Sequence, residues 1–359
     1  MSKITILGAG ITGMGIASQL PKSASITILG EFLPGDAMDQ RYVSQWAGAI
    51  WLGVHDSTPR EQEMQLNSFS ELWRIAERHP ESGIRQIEMT EIMDNGDPDK
   101  VWYQGKVPGF RFMAPEELPK GAKFGMKFQT VIITPPTFLP WFRQRLEAQG
   151  VKFQRTYVKS LRDLKGLGGD VLINATGFGA MKLLDVEEKR ITPVRQQNIR
   201  LRKEGYNRCY IRRGPDGYYS TAFARGDGTI YMGGIKTVGK VDFASYEDQR
   251  KKIMQRQHEN QPDVFPSPNP LDYDFITDHV GVFPIIEHQF GGVRVEKEVL
   301  HGQKVVHAYG QEAGGYTFSF GLGKQVASDV QEYLTEIPKP ADTPIPIYIT
   351  DKDVQTLLY

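Results

Sequence analysis

The chain contains one cysteine, Cys209, among 359 residues. No disulfide can form within it and no cysteine-based zinc cluster can be built, a usage that fits a reducing compartment. Excess charge of one sign is missing too: 43 Lys and Arg balance 43 Asp and Glu. A neutral chain offers no general basic field for nucleic acid or an anionic membrane. No apolar run approaches the roughly 20 residues that a membrane helix needs. The start does not read as a signal peptide, because its apolar stretch at 4–9 is short and broken by glycine. The 7 histidines are scattered without H-x-x-x-H spacing, so no metal is expected. No internal repeat is found. What remains, with 40% hydrophobic and 24% charged residues, is an ordinary globular composition long enough for about two domains.

The first thirty residues carry the strongest signal. Ile4-Thr5-Ile6-Leu7 reads as a short buried strand. It runs into Gly8-Ala9-Gly10-Ile11-Thr12-Gly13, a G-x-G-x-x-G turn, and a helix is predicted over 12–19, closed by Pro21. A second strand is predicted over 26–29. Glu31 stands just beyond it, near the spacing of roughly 20 residues at which an acid meets a ribose. Each residue type has a task. Gly8 permits a tight turn, Gly10 lets backbone N–H groups approach a diphosphate, and Gly13 lets helix and strand pack closely. The helix N-terminus adds partial positive charge. Glu31 can accept hydrogen bonds from a ribose diol. The pattern predicts dinucleotide binding and leaves NAD and FAD both open.

Leu66, Phe69, Trp73 and Ala76 recur along one face of a helix predicted over 60–79 and ended by Pro80; they read as a core face. Residues 83–133 alternate short β-like runs with Gly and Pro, the mark of an antiparallel sheet. Thr134-Pro135-Pro136-Thr137 opens a helix reaching about residue 149. Further strands are expected over 151–157, 171–174, 195–202 and 228–234. Between the last two, 203–219 is polar and glycine-punctuated and reads as a mobile lid containing Cys209. Leu322, Val326, Val330 and Leu334 mark a final helix over 321–337, closed by Pro338 and Pro340. The nucleotide-binding pieces are therefore split. The expected architecture is α/β. A discontinuous Rossmann-like nucleotide domain covers 1–82, 134–194 and 301–337, and a β-rich antiparallel-sheet substrate domain covers 83–133 and 195–300, with a tail over 338–359. That layout suits a flavoprotein better than an NAD-dependent dehydrogenase.

Several further motifs follow in order: Ser44-Gln45-Trp46-Ala47-Gly48-Ala49-Ile50-Trp51, DVLINATG at 170–177, Pro193-Val194-Arg195, and HAYGQEAGGYTFSFG at 307–321. With the opening glycine turn, they resemble the D-amino-acid oxidase and D-aspartate oxidase family over most of the chain. The resemblance implies a non-covalent FAD-binding domain and oxidation of the C–N bond of a small-molecule amine. Hydride would pass to flavin N5, and O2 would reoxidise the flavin to give hydrogen peroxide. It places Ala9, Ile11 and Thr12 with the glycines on the diphosphate, and Val158 at the adenine end through its backbone. Ser44, Gln45, Ala47 and Gly48 would lie along the ring. Gly314, Gly315, Tyr316 and Thr317 would offer N–H groups to its pyrimidine side, where reduced flavin carries negative charge. Cys209 is not expected to attach the flavin. Relatives of this kind are often peroxisomal, yet the chain ends Leu357-Leu358-Tyr359 and not in an SKL-type address. A cytoplasmic setting is expected, with the peroxisome left open. A homodimer is allowed, and no nucleic-acid or membrane partner is expected.

One departure from the family bears on the substrate. Relatives fix a carboxylate with an arginine in a Gly-x-Arg-Pro setting, helped by tyrosine hydroxyls. Here the stretch is Gly281-Val282-Phe283-Pro284, and Phe283 holds the arginine's place. The tyrosine positions fall on Thr221 and Lys236, and Ala313 would offer its carbonyl to the substrate nitrogen. These four are the substrate-positioning candidates. A phenylalanine cannot hold a buried carboxylate. Two repairs are open. Lys236, Arg213 or Arg225 supplies the cation from another direction, or the substrate is an amine or natural-product intermediate without a free α-carboxylate, its ammonium paired with Glu312. The lost arginine tips the sequence reading towards the second. A flavin-binding protein without amine oxidation is the remaining alternative. Tyr218 and Tyr219 read equally as loop packing or lid aromatics, and His279 and His288 as ordinary surface or core residues.

Overall fold

The computed structural model describes residues 1–167 and 169–335. Lys3–Leu7 (β1) carries four buried residues in a row, as a strand covered on both faces must. It lies inside a six-stranded sheet ordered Arg294–Leu300 (β13), Gln303–Tyr309 (β14), Val171–Asn174 (β7), β1, Ser25–Gly30 (β2) and Lys152–Arg155 (β6). All pairings are parallel except the β13–β14 hairpin at the edge. Helices Ile11–Gln19 (α1) and Gly315–Thr335 (α6) pack together beside this sheet. Their contact needs glycine: a Cβ on Gly15 would stand 2.7 Å from the Ser319 carbonyl oxygen, and one on Gly323 2.8 Å from that of Gly15.

A second, eight-stranded sheet is ordered Asp274–Ile286 (β12), Ile191–Arg202 (β8), Thr229–Val238 (β11), Tyr219–Ala224 (β10), Cys209–Arg213 (β9), Ile84–Met93 (β3), Phe124–Ile133 (β5) and Arg111–Phe112 (β4). Only β3 and β9 pair in parallel. Short Val43–Trp46 (α2) and long Pro59–Arg78 (α3) bridge the two sheets in sequence, and Pro135–Ala148 (α4) returns the chain to the first. Helix α3 starts as its sequence dictates: Thr58 caps it, Glu61 answers in a capping box, and Pro59 takes the first position. Its stripe buries Leu66, Phe69 and Trp73. Glu247–Asn260 (α5), not foreseen from the sequence, packs on β8, β10 and β11 through Ile253, Met254 and Gln257.

Four expectations need correction. Residues 203–219 are no lid over a site: they contain β9, the inner neighbour of β3 and β10, and Cys209 is buried there with its thiol pushed up by burial. Residues 294–300, expected in the substrate domain, form β13 of the nucleotide sheet. Strand β8 of the second sheet starts at Ile191, inside the stretch expected to belong to the nucleotide domain. Helix α6 begins at Gly315, six residues ahead of expectation, because the glycine run is its first turn. The expected tail over 338–359 and the end of the last helix lie outside the described residues. Among the described residues, no helix is long and apolar enough to cross a membrane.

Candidate active site

The carboxyl ends of the parallel strands open onto a cavity of about 890 Å³ that continues to the face of the second sheet. At its first end lies the glycine turn after β1. Gly8 sits at φ +121°, and a Cβ there would stand 2.3 Å from the Ala175 carbonyl oxygen. A Cβ on Gly13 would meet the Gly8 carbonyl oxygen at 1.9 Å, so helix and turn close directly on each other. Gly8, Ala9, Gly10, Ile11 and Thr12 line the cavity; Gly13 lies behind them as packing. The Tyr42 hydroxyl donates to the Ala9 carbonyl at 2.6 Å, and Ser44 Oγ accepts the Ile11 N–H at 3.0 Å. Helix α1 opens without a capping side chain of its own and without an acid in its first turn, so its positive end faces the cavity. Glu31 lies at the mouth with a half-exposed carboxylate, 3.0 Å from Arg41, and Val158 lines the same end.

The middle of the cavity is walled by Ser44, Ala47 and Gly48. Arg225 donates to the carbonyls of Gly48 at 2.5 Å and Ala47 at 2.8 Å, and His279 Nε2 donates to that of Trp46 at 2.5 Å. Burial drives the Arg225 pKa down to about 10 and that of His279 to about 3. Both side chains therefore hold this segment in place. Arg225, a candidate cation for the substrate, does not line the cavity. Gln45 does not either: its amide turns inward to the Asp36 carbonyl at 3.2 Å. The C-terminal signature closes the same stretch. Gln311 donates to Thr12 Oγ1 at 3.2 Å, joining it to the first glycine turn, and the Tyr316 hydroxyl donates to the Ser44 carbonyl at 2.9 Å. Gly314, Gly315, Tyr316 and Thr317 all line the cavity. The Gly314 N–H, however, already donates to the Gln311 carbonyl, so the first turn of α6 from Gly315 onward supplies the open donors.

At the far end, strands remote in sequence converge. Thr221 and Tyr219 come from β10, Lys236 from β11, Phe283 from β12 and Arg213 from β9, and all line the cavity with Glu312 and Ala313. A register shift between Gly233 and Ile235 lies just ahead of Lys236; such a bulge re-aims the side chains that follow. Lys236 Nζ lies 5.5 Å from the Tyr219 ring centre and 5.9 Å from that of Phe283. It is open to the cavity yet walled by protein on most sides. Although the side chain is exposed to the cavity, the protein crowded around it lowers its pKa, Arg213 adds to the effect and Glu312 opposes it. Lys236 makes no close ion pair with a described residue. Arg213 donates Nε to Glu91 at 2.9 Å and stacks over Tyr219 at 5.2 Å, while its terminal nitrogens bond to no described residue. Glu91 is wholly buried and also accepts the Tyr103 hydroxyl at 2.7 Å, with His55 Nε2 3.3 Å away. Burial alone would raise its pKa, but His55, Arg213 and Tyr103 together hold it at about 2. Sequence reasoning missed His55, Asp56 and Glu91, and took His288, which also lines the cavity, for an ordinary residue. For the first two, only their place just after the ring-lining segment could have served as a signal.

A parallel sheet ending in a glycine cradle, faced by a second helix start and continued into an aromatic and cationic chamber, defines a dinucleotide-binding protein with a separate reaction chamber. A flavin dinucleotide fits what is present: a cradle that any Cβ would fill, open helix-start donors at both signatures, and one continuous space between them. A family model described as FAD dependent oxidoreductase matches residues 3–328, and the chain belongs to that family. It is 30% identical to a D-aspartate oxidase of Talaromyces thermophilus, over 90% of this chain and 94% of that protein. It is 29% identical to a D-amino-acid oxidase of Fusarium vanettenii, over 92% of this chain and 96% of that one. A glycine oxidase structure from Geobacillus kaustophilus superposes with a TM-score of 0.72 at 14% identity, covering 98% of this chain and 99% of its own. The protein is an FAD-dependent oxidoreductase, as the resemblance implied.

Proposed function

We propose that the chain oxidises the C–N bond of an amine that also carries a carboxylate, an amino acid in the first instance. The observation that carries this reading is Lys236: a cation with no close carboxylate partner among the described residues, set in the chamber wall between Tyr219 and Phe283 and beside the open fork of Arg213. The carboxylate clamp is thus moved to β9 and β11, and Phe283 becomes part of its apolar wall. Glu91 fixes the Arg213 plane and leaves its terminal donors for the substrate. Tyr219 and Phe283 exclude water around the bound carboxylate, which strengthens both contacts. Ala313 borders the same space and would direct its carbonyl at the substrate nitrogen. When bound, FAD supplies the two-electron acceptor for the C–H bond beside that nitrogen and passes the electrons to O2, giving hydrogen peroxide. The work of the side chains is therefore orientation, worth several orders of magnitude in rate when well made.

A second reading rests on Phe283 itself. An aromatic face in the arginine's place suits an amine without a carboxylate. Peroxide release from a panel of D-amino acids and their decarboxylated amines separates the two. For Lys236→Met, the expected result is a KM for amino acids raised on the order of a hundredfold, with unchanged flavin content and unchanged turnover of simple amines. A Lys236→Met enzyme that keeps the parent's KM for amino acids rules out the carboxylate reading.

A further inference from the structure

Glu312 is, among the described residues lining the cavity, the one non-glycine held at left-handed φ, +52°. Glycine takes that conformation freely, and a side chain there costs free energy. The side chain is not repaid by the fold: Glu312 makes no hydrogen bond and no close ion pair with a described residue. Glu312 lines the chamber. The charged groups around it are Lys236 from β11, His288 from the turn after β12, Glu61 from the start of α3 and Asp56 from the loop before it. Burial raises its pKa, and Lys236 and His288 pull it back. Lys236 and Glu312 are thus near enough to influence each other and too far apart to pair. An unpaired cation and an unpaired anion bordering one chamber match a zwitterion, with the carboxylate on Lys236 and the ammonium on Glu312.

The substrate nitrogen must be neutral before the neighbouring C–H bond gives up hydride, because its lone pair forms the C=N bond. We propose that Glu312 is the catalytic base that takes this proton, a role that rests on the amino-acid reading above. A Glu312 carboxylate oxygen accepts the N–H proton, so that R–NH3+ and COO− become R–NH2 and COOH. No electrons change hands in this step; the C–H electron pair leaves afterwards to the bound flavin.

The test uses the holoenzyme, its Glu312→Gln and Glu312→Gly variants, and the best amino-acid substrate of the panel between pH 6 and 10. For Glu312→Gln, kcat/KM is expected to fall about a hundredfold at pH 7. The deficit should shrink roughly tenfold per pH unit as the substrate ammonium begins to lose its proton to solvent. A carboxylate that lacks the amine, followed by its shift of the flavin spectrum, should bind the variant at least as tightly as the parent. Glu312→Gly should show the same pH profile and a higher melting temperature, since glycine relieves the backbone. It carries the test if the Gln variant loses flavin. A deficit that is equal at every pH overturns the proposal, and so does one confined to substrates with a second ammonium in the side chain. If the parent shows the same KM for simple amines as for the matching amino acids, the carboxylate reading falls alone, and the Glu312 profile measured on those amines still decides this one.

Discussion

At the nucleotide end of the cavity the wall is main chain, whereas at the substrate end it is side chains. The first end is Gly8 to Thr12 and the start of α1, neighbours in sequence, with hydroxyls of Tyr42 and Ser44 bracing them. The second end is Arg213, Tyr219, Lys236, Phe283 and Glu312, brought together by four strands and a turn. The first site has no room for a Cβ at Gly8 or Gly13, and its charge comes from the backbone at the start of α1. The second has room for side chains of many shapes and is sensitive to every charge. One end is thus shaped by backbone and the other by the choice of side chains, on one scaffold.

The comparison is broken most severely at Gly13. With the Gly8 carbonyl oxygen 1.9 Å from the new Cβ, Gly13→Ala is expected to give colourless protein, with FAD affinity down more than about a hundredfold. Flavin absorbance and a titration with FAD measure it. Lys236→Met, by contrast, should remain fully yellow. An intermediate effect is expected from Glu91, whose pKa is held at about 2 against an ordinary 4.5. Between those values the unfolded chain takes up a proton that the folded chain refuses. The stabilisation is complete above pH 4.5 and is lost as pH falls towards 2, on the order of 3 kcal/mol for this group. Denaturant unfolding across that range should show the loss, and Glu91→Gln should flatten it. The same variant should be less stable at neutral pH, because Arg213 is left without its partner. The smallest effect belongs to Glu31, half exposed at the mouth. Glu31→Ala should weaken FAD about tenfold, with the substrate KM unchanged.

The nucleotide end was legible because its signals are local. Strand, glycine turn, helix and acid follow within one stretch, and each residue type has a single geometric reason to be there. The C-terminal signature was legible as a motif, but its glycines hid the true start of α6. Strand β9 was hidden in another way. Its flanks are polar and glycine-rich, and only Cys209 and Ile211 point into the core, too short a pattern to outweigh a loop reading. Strand β13 alternates charges because it is an exposed edge, and nothing in its own residues says which sheet it joins. Helix α5 buries only Ile253, Met254 and Gln257, so its apolar stripe is faint. At the substrate end the sequence exposed the loss of the arginine at Phe283. It could not choose among Lys236, Arg213 and Arg225, because their settings depend on partners: Glu91 orients one, the carbonyls of Ala47 and Gly48 occupy another, and Lys236 has no close ion-pair partner among the described residues.

The glycine-to-glycine seam between α1 and α6 also sets the timetable of manufacture. A ribosome releases the diphosphate cradle long before the helix that locks it, with both sheets made in between. Domains generally fold as they emerge. This one must wait, its first helix lacking its mate while both sheets are threaded. Cofactor capture is accordingly a finishing step, and nascent chains halted before Gly323 should be poor competitors for free FAD.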